Sequence, residues 1–378
     1  MSINAQQKAF VLFSGYNFRV IIALCRLFDR YDIPFGVVAR SSDDPIFATR
    51  YADRVFQVRD TPSLRKETVL AYLVNFREFN GYQEVIVAPT SEYLNHFLLE
   101  HQQAFHRYGI RIPLVDKPRY QLITNKLSFA QYCQRRGIAV PAWVDEVNRI
   151  RLPCVAKPRI NLVGDRTLYP YLIFDAGQLE SFLSREDPHN FFFQEYIQGR
   201  SFYLFYYITS DGRVLRDSQE NLAQQPDGKS IVLACTADLH HHSIADRFEA
   251  VLKELAFRGI VMIEVKQRED AYYLIEANPR FWGPFQLLIN ARSRLVTAML
   301  EDQLHVSLPR RNRDGRHSAR YLWAGGIVQA LRSKKALQWY RKPHHSWAGL
   351  LFKELPNDVY FRPDTIRYFF RELTQHHQ

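Results

Sequence analysis

Groups able to do chemistry concentrate between Val261 and Gly283. Glu264 lies in Val261-Met262-Ile263-Glu264-Val265-Lys266, and beyond Gln267-Arg268-Glu269-Asp270 the segment Ala271 to Glu276 leads into Asn278, Arg280 and Trp282. Alternate side chains of an extended chain share a face, so Glu276, Asn278 and Arg280 project together. Pro279 steers Asn278 away from helical angles and keeps the run extended. Two carboxylates and an amide oxygen suit a hard cation such as magnesium, which takes one or two carboxylates and completes its shell with phosphate oxygens and water. A neighbouring guanidinium would stabilise negative charge on a transferring phosphoryl group. Glu264 joins this face only if the hairpin connection has an odd number of residues, about three or five. The competing reading is an ordinary hairpin with its charges on a solvated face. Against it, Ile275 and Phe281-Trp282-Gly283 carry the stretch into a core.

The elements that must position these groups are legible on either side. Phe10 to Phe13 reads as a buried strand, Ser14-Gly15-Tyr16-Asn17 as a turn, and Val20, Leu24, Leu27 and Tyr31 as the apolar face of a helix; Pro34 to Ala39 is a second strand. Glu84 to Ala88 and Glu92 to Phe105 repeat strand and helix, which predicts a parallel, doubly wound sheet. The first turn lacks GxGxxG, so no dinucleotide is expected there. Pro113 to Arg119 marks a boundary, and Lys126 to Arg136 is a helix stopped by Gly137. Strands follow at Pro153 to Lys157, Tyr169 to Phe174, Phe191 to Tyr196 and Phe202 to Ile208. Asp246 opens a helix with Phe248, Val251, Leu252 and Leu255 on one face and Gly259 as its stop; Val261 to Lys266 and Ala271 to Glu276 form the hairpin.

At about 150 residues per domain, 378 residues make two or three lobes. A 47% hydrophobic, 14% aromatic composition excludes intrinsic disorder. No apolar run reaches the roughly 18 residues of a membrane span and the first ten residues are too polar for a signal peptide, so a cytoplasmic protein without integral membrane association is expected. The net charge is +11, and between His305 and Gln378 14 basic residues face 5 acidic ones. Cys25, Cys133, Cys154 and Cys235 lack metal or disulfide spacing and are expected as buried thiols. His240-His241-His242 reads as a solvated loop, because consecutive side chains do not converge on one ion. Glu92, after a strand end, either meets a substrate amine or caps its helix. The basic, Trp-rich end, including Arg310, Arg311, Arg313, Arg316, Lys334 and Lys335, reads as a helical appendage whose Leu331, Leu337, Leu350 and Leu351 need burial. No motif supports nucleic acid as its partner.

Taken in order, these segments resemble the ATP-grasp superfamily. Asn125-Lys126-Leu127-Ser128-Phe129 through Gly137-Ile138-Ala139-Val140-Pro141 looks like the family's lysine helix and its "GIPVP" turn, and Val155-Ala156-Lys157-Pro158 like its second lysine strand. Gln194-Glu195-Tyr196-Ile197-Gln198-Gly199 resembles the adenine hinge, and Glu264 with Glu276 to Gly283 the magnesium segment. The resemblance implies an α/β and α+β architecture. A Rossmann-like pre-ATP-grasp domain (1–115) would precede a two-lobed ATP-grasp domain (116–304; small lobe about 125–195, large lobe about 196–304), with a basic extension at 305–378. It implies ATP and Mg2+ or Mn2+ as cofactors. Lys126 and Lys157 would contact phosphates, the backbone of Glu195, Tyr196 and Ile197 would meet adenine, Glu264, Glu276 and Asn278 would hold the metal, and Arg280 would steady the transferred phosphoryl group. The implied reaction activates a small-molecule carboxylate as an acyl phosphate and joins it to an amine; substrates and oligomeric state, a homodimer included, are left open. Two positions depart from the pattern. The loop Arg159 to Arg166 holds one glycine, so Arg159 or Arg166 would close over the phosphates instead, and Ser201 stands where a glutamate is common. The alternatives are a non-catalytic module that binds an anionic partner through its basic end, and a phosphoryl transfer that stops at a phosphorylated product.

Overall fold

Lys8–Phe13 (β1) is buried from Ala9 onward, as a strand covered on both faces must be. The computed structural model describes residues 7–61, 63–159, 162–163, 166–309, 317–341, 349 and 353–374, and structural statements below concern these. Phe35–Ala39 (β2), Val55–Val58 (β3), Glu84–Val87 (β4) and Ile110–Arg111 (β5) join β1 in a parallel sheet of order β3-β2-β1-β4-β5. Phe10 and Leu12 pack in the cluster that contains helix Phe18–Arg30 (α1), whereas Ala9, Val11 and Phe13 pack with Val69 and Leu73 of helix Lys66–Phe79 (α2). The expected helix from Glu92 to Phe105 is two, Glu92–Glu100 (α3) and Gln102–His106 (α4), because His101 leaves helical geometry between them.

Helices Lys117–Thr124 (α5) and Lys126–Gln134 (α6) lead to a four-stranded antiparallel sheet. It comprises Trp143–Val144 (β6), Cys154–Pro158 (β7), Tyr171–Ile173 (β10) and Phe191–Glu195 (β11), in the order β10-β7-β11-β6. Leu162–Val163 (β8) and Arg166–Thr167 (β9) form a separate ribbon, and helix Ala176–Leu183 (α7) buries Phe182 against the sheet's own small core.

The largest sheet is antiparallel: Arg200–Ile208 (β12), Val214–Gln224 (β13), Ile231–Thr236 (β14), Gly259–Arg268 (β15), Ala271–Asn278 (β16) and Arg320–Leu322 (β17), ordered β16-β15-β12-β13-β14-β17, with Gln338–Trp339 (β18) beside β13. Helix Ser243–Glu254 (α8) begins three residues before Asp246, because His242 caps it by accepting from the Ile244 amide at 3.1 Å. Gly259 does not stop that helix. Ala256, at φ +47°, takes the left-handed position, and Gly259, at φ +100°, opens β15.

The C-terminal residues are woven into this body. The β17 strand pairs with β14, and Tyr360, Tyr368 and Phe369 share one core with α1 and the large sheet. The Arg26 guanidinium holds Asp364 through two bonds, at 2.7 and 3.0 Å, and Tyr51 donates to the same carboxylate at 3.0 Å. Leu331 is not buried but 63% exposed, since helix Ala324–Arg332 packs through Ala324, Ile327 and Ala330; Leu337 is half-buried, and Leu350 and Leu351 lie outside the described residues. Of the four cysteines, all unpaired, Cys25, Cys133 and Cys154 are buried as expected.

Glu372, 5% exposed, accepts from Trp323 Nε1 at 3.1 Å and from the Tyr368 hydroxyl at 3.4 Å, while its Oε2 has no partner. Burial, with Asp358 nearby, lifts its carboxyl from 4.5 to about 7. The folded chain thus holds a proton that the unfolded chain releases earlier, so this stability is complete below the unfolded value and is lost as pH rises through about 7. Glu372→Gln mimics the protonated acid and is expected to raise the unfolding free energy at about pH 8 by up to about 3 kcal/mol, with little change near pH 5; an equal effect at both pH values would refute this account.

Candidate active site

The β15–β16 connection has two residues, Glu269 and Asp270, since Arg268 pairs with Ala271. The expected odd connection is therefore absent, and continued unbroken that register would set Glu264 opposite Ile275. A bulge between Glu264 and Val265 corrects the parity: Val265 pairs with Leu274, Glu264 pairs with Glu276, and Ile275 is the extra residue. The same bulge leaves the Ile275 carbonyl available, and Lys157 Nζ donates to it at 3.0 Å. The small sheet thereby brings its lysine to the strand that carries Glu276.

The other expected groups converge here. Asn278 Nδ2 donates to Glu276 Oε1 at 2.7 Å, and Arg280 reaches Asn278 Oδ1 at 3.4 Å. Glu264 is 6% exposed; burial, then the charge of Glu276, raises its carboxyl above the ordinary range. Burial, with Lys126 beside it, lowers the Lys157 ammonium to about 8 against the attraction of Glu276 and Glu264. Lys126, Lys157, Glu264, Glu276, Asn278 and Arg280 thus form one electrostatic cluster. Its donor set fits magnesium: two facing carboxylates resist joint ionisation until a cation lies between them, and no third carboxylate, His or Cys completes an all-protein cage among the described residues.

The hinge residues flank this cluster. Ile197 is 2% exposed, and the Glu195 carboxylate pairs with Arg268. Gly199, at φ +155°, lies so close to β15 that a Cβ would come 1.8 Å from the Gln267 carbonyl oxygen. Ser201 is fully buried; its hydroxyl donates to Glu264 Oε1 at 3.2 Å and accepts from Asn221 Nδ2 at 2.8 Å, so it orients a carboxylate. Sequence reading missed Lys266 and Tyr340. Lys266 shares the face of Glu264 two residues on, a spacing that could have revealed it, whereas Tyr340 comes from the far end of the chain and carried no signal.

Several expectations are revised. Arg159 pairs with Asp145, and the side chain of Arg166 is outside the described residues, as are Arg310, Arg311, Arg313 and Arg316. His240 is not solvated: it is 6% exposed, with Nδ1 2.9 Å from the Ser218 hydroxyl, because Leu239 and His240 fold back onto β13. Ser91, not Glu92, caps α3, accepting from the Leu94 amide at 3.1 Å. Burial opposes ionisation of Glu92, yet His96, Arg280 and Lys126 hold its carboxyl below the ordinary range. Ser14 donates to Asp44 at 2.8 Å, and Tyr16 accepts from Arg59 at 3.0 Å, which commits the first turn to local structure. No described helix is long and apolar enough to cross a membrane.

No family model and no curated protein matches this sequence. Solved structures do. N5-carboxyaminoimidazole synthetase from Staphylococcus aureus superposes with a TM-score of 0.61 at 14% identity, over 86% of this chain and 85% of that one. A biotin carboxylase–βγ-ATP complex from Campylobacter jejuni gives 0.60 at 13%, over 84% and 75%. The biotin carboxylase domain of Hydrogenobacter thermophilus 2-oxoglutarate carboxylase, in complex with MgADP and bicarbonate, gives 0.59 at 13%, over 82% and 73%. Identity this low establishes shared architecture alone: the chain has the fold of these synthetases and biotin carboxylases, a parallel sheet followed by two antiparallel sheets, with Lys157 of the smaller bonded to the Ile275 carbonyl of the larger.

Proposed function

We propose that the chain is an ATP- and magnesium-dependent ligase that activates a small-molecule carboxylate as an acyl phosphate and joins it to an amine, releasing ADP and phosphate. The observation that carries this reading is the pairing of Glu264 with Glu276 across the bulge, with Lys157 bonded to Ile275 and Arg280 bonded to Asn278. Glu264, Glu276 and the Asn278 amide oxygen would hold the cation, which supplies charge neutralisation between two anions that otherwise repel. Lys157 and Lys126 offer ammonium groups to phosphate oxygens, and Arg280 offers a planar guanidinium to the oxygens of the group in transfer. A carboxylate is a poor acyl donor until its oxygen becomes a good leaving group; phosphorylation provides that, and a fixed cation cluster brings the reactants into contact. The solved neighbours in complex with ATP-type nucleotides and MgADP support the cofactor assignment. In this proposal residues 1–115, 116–304 and 305–378 are the pre-ATP-grasp, ATP-grasp and C-terminal parts. Some basic groups of the last part are engaged within the fold, Arg320 with Glu354 and Lys335 with Asp227, the latter at 2.6 Å.

ADP with magnesium at about 100 times its Kd is expected to stabilise the wild type by about 2.7 kcal/mol, and Glu264→Gln, Glu276→Gln and Asn278→Ala should lose the magnesium-dependent part of that shift. Unchanged shifts in all three variants would rule out the metal assignment. With a productive acid and amine, ADP and free phosphate should appear in equal amounts and Glu276→Gln should abolish both while remaining folded. ADP without free phosphate would instead indicate a phosphorylated product.

A further inference from the structure

The base end of the proposed nucleotide site is built partly by the far end of the chain. Lys266 is 8% exposed, and its Nζ stands 4.7 Å from the ring centre of Tyr196 on the hinge and 5.2 Å from that of Tyr340. Strand pairing explains how Tyr340 arrives there. Ala223 and Gln224 of β13 meet Leu233 and Ile231 of β14 on one side and Trp339 and Gln338 of β18 on the other. The β12 strand, which otherwise occupies that second side, last pairs at Ser201 with Asn221. The short β18 strand therefore takes over the edge where β12 ends, beside the hinge. The Tyr340 amide continues the ladder to the Leu222 carbonyl at 3.1 Å. Its hydroxyl donates to Gln224 and shares Ser201, whose own hydroxyl bonds Glu264. Gln338 Nε2 donates to the Tyr196 hydroxyl at 2.6 Å.

These contacts fill one end of that site. Lys157 and Glu264 are each 6% exposed and Lys266 and Asn278 each 8%, although a triphosphate and its cation would have to reach them. Tyr340 stands over Lys266 on a segment that pairs with β13 through a two-residue strand and packs Trp339 and Tyr340 against the main core. Short edge segments open locally at free energies below that of global unfolding.

Resting on the nucleotide reading above, we propose that Gln338–Tyr340 is an intrachain occupant of the nucleotide cleft, with Tyr340 and Lys266 filling the base and ribose end between Tyr196 and Ser201, so that a nucleotide enters as the segment lifts from β13. The docked segment lowers apparent nucleotide affinity in proportion to the fraction of molecules that carry it in place. The C-terminal part of the chain thereby sets how readily the site loads.

Calorimetric titration of magnesium ADP into wild type, Tyr340→Ala and Gln338→Ala tests this, together with hydrogen exchange of the Trp339 and Tyr340 amides with and without nucleotide. Both variants should bind more tightly, Tyr340→Ala by about tenfold and Gln338→Ala by less, and nucleotide should accelerate exchange of those amides in the wild type. Equal or weaker binding in both variants, or amides that become more protected, would make the segment a fixed wall of the site and overturn the proposal while leaving the nucleotide reading intact. Absence of binding in all three proteins would remove the nucleotide reading itself and the occupant with it. Should Tyr340→Ala fail to fold, Gln338→Ala and the wild-type exchange decide alone.

Discussion

Parity across one antiparallel strand pair governs the chemistry of this chain. In β15 and β16 the two-residue connection and the two glutamates are incompatible with a shared face unless one residue is absorbed on the way, and Ile275 is that residue. A one-residue slip in a strand moves every side chain beyond it to the opposite face. Without the bulge, Glu276 and Asn278 would turn away from Glu264 and the Ile275 carbonyl would return to the ladder. Lys157 would then lose its 3.0 Å bond. One local irregularity sets both the carboxylate pair and the bond that holds Lys157.

The cluster is costly to build, and its composition shows how the cost is met. An isolated buried charge is penalised by several kcal/mol even after relaxation, so Lys157 and Glu264, each 6% exposed, persist because opposite charges lie within reach. The balance is incomplete: Glu264 is pushed toward its neutral form and Lys157 likewise. A site in that condition gains from any ligand that brings a cation to the carboxylates and an anion to the lysines, which is what a metal-bound polyphosphate does.

Distant parts of the chain fix the geometry around it. The Phe281 amide donates to the Pro89 carbonyl at 3.1 Å, so the segment carrying Arg280 is anchored to the end of β4 in the parallel sheet, next to Glu92. The Arg19 guanidinium lies 4.0 Å from the Trp323 ring centre and bonds Ser230 at 2.8 Å, joining α1 to the C-terminal region and the large sheet. Phe18 packs on Tyr360 and Tyr368. What reads in sequence as a basic appendage is a third party to the main core.

Strands and helices with strong apolar patterns, and the four hairpin groups Glu264, Glu276, Asn278 and Arg280, were legible in the sequence because two-residue alternation and residue chemistry are local properties. Lys126 and Lys157 were named only through the resemblance of the segments that carry them to the ATP-grasp superfamily. The helix break at His101, the start of β15 at Gly259 and the burial of His240 were not legible, since each is settled by packing against residues far away in the chain. The same holds for Tyr340. Only the tertiary structure could decide that Ile275 bulges, because a hairpin register is a competition between turn geometry and the burial of Leu274 and Ala277 in a core shared with α5, α6 and α8. Only it could bring Tyr340 to Lys266, because β18 finds its place on an edge that exists only after β12 and β13 have paired.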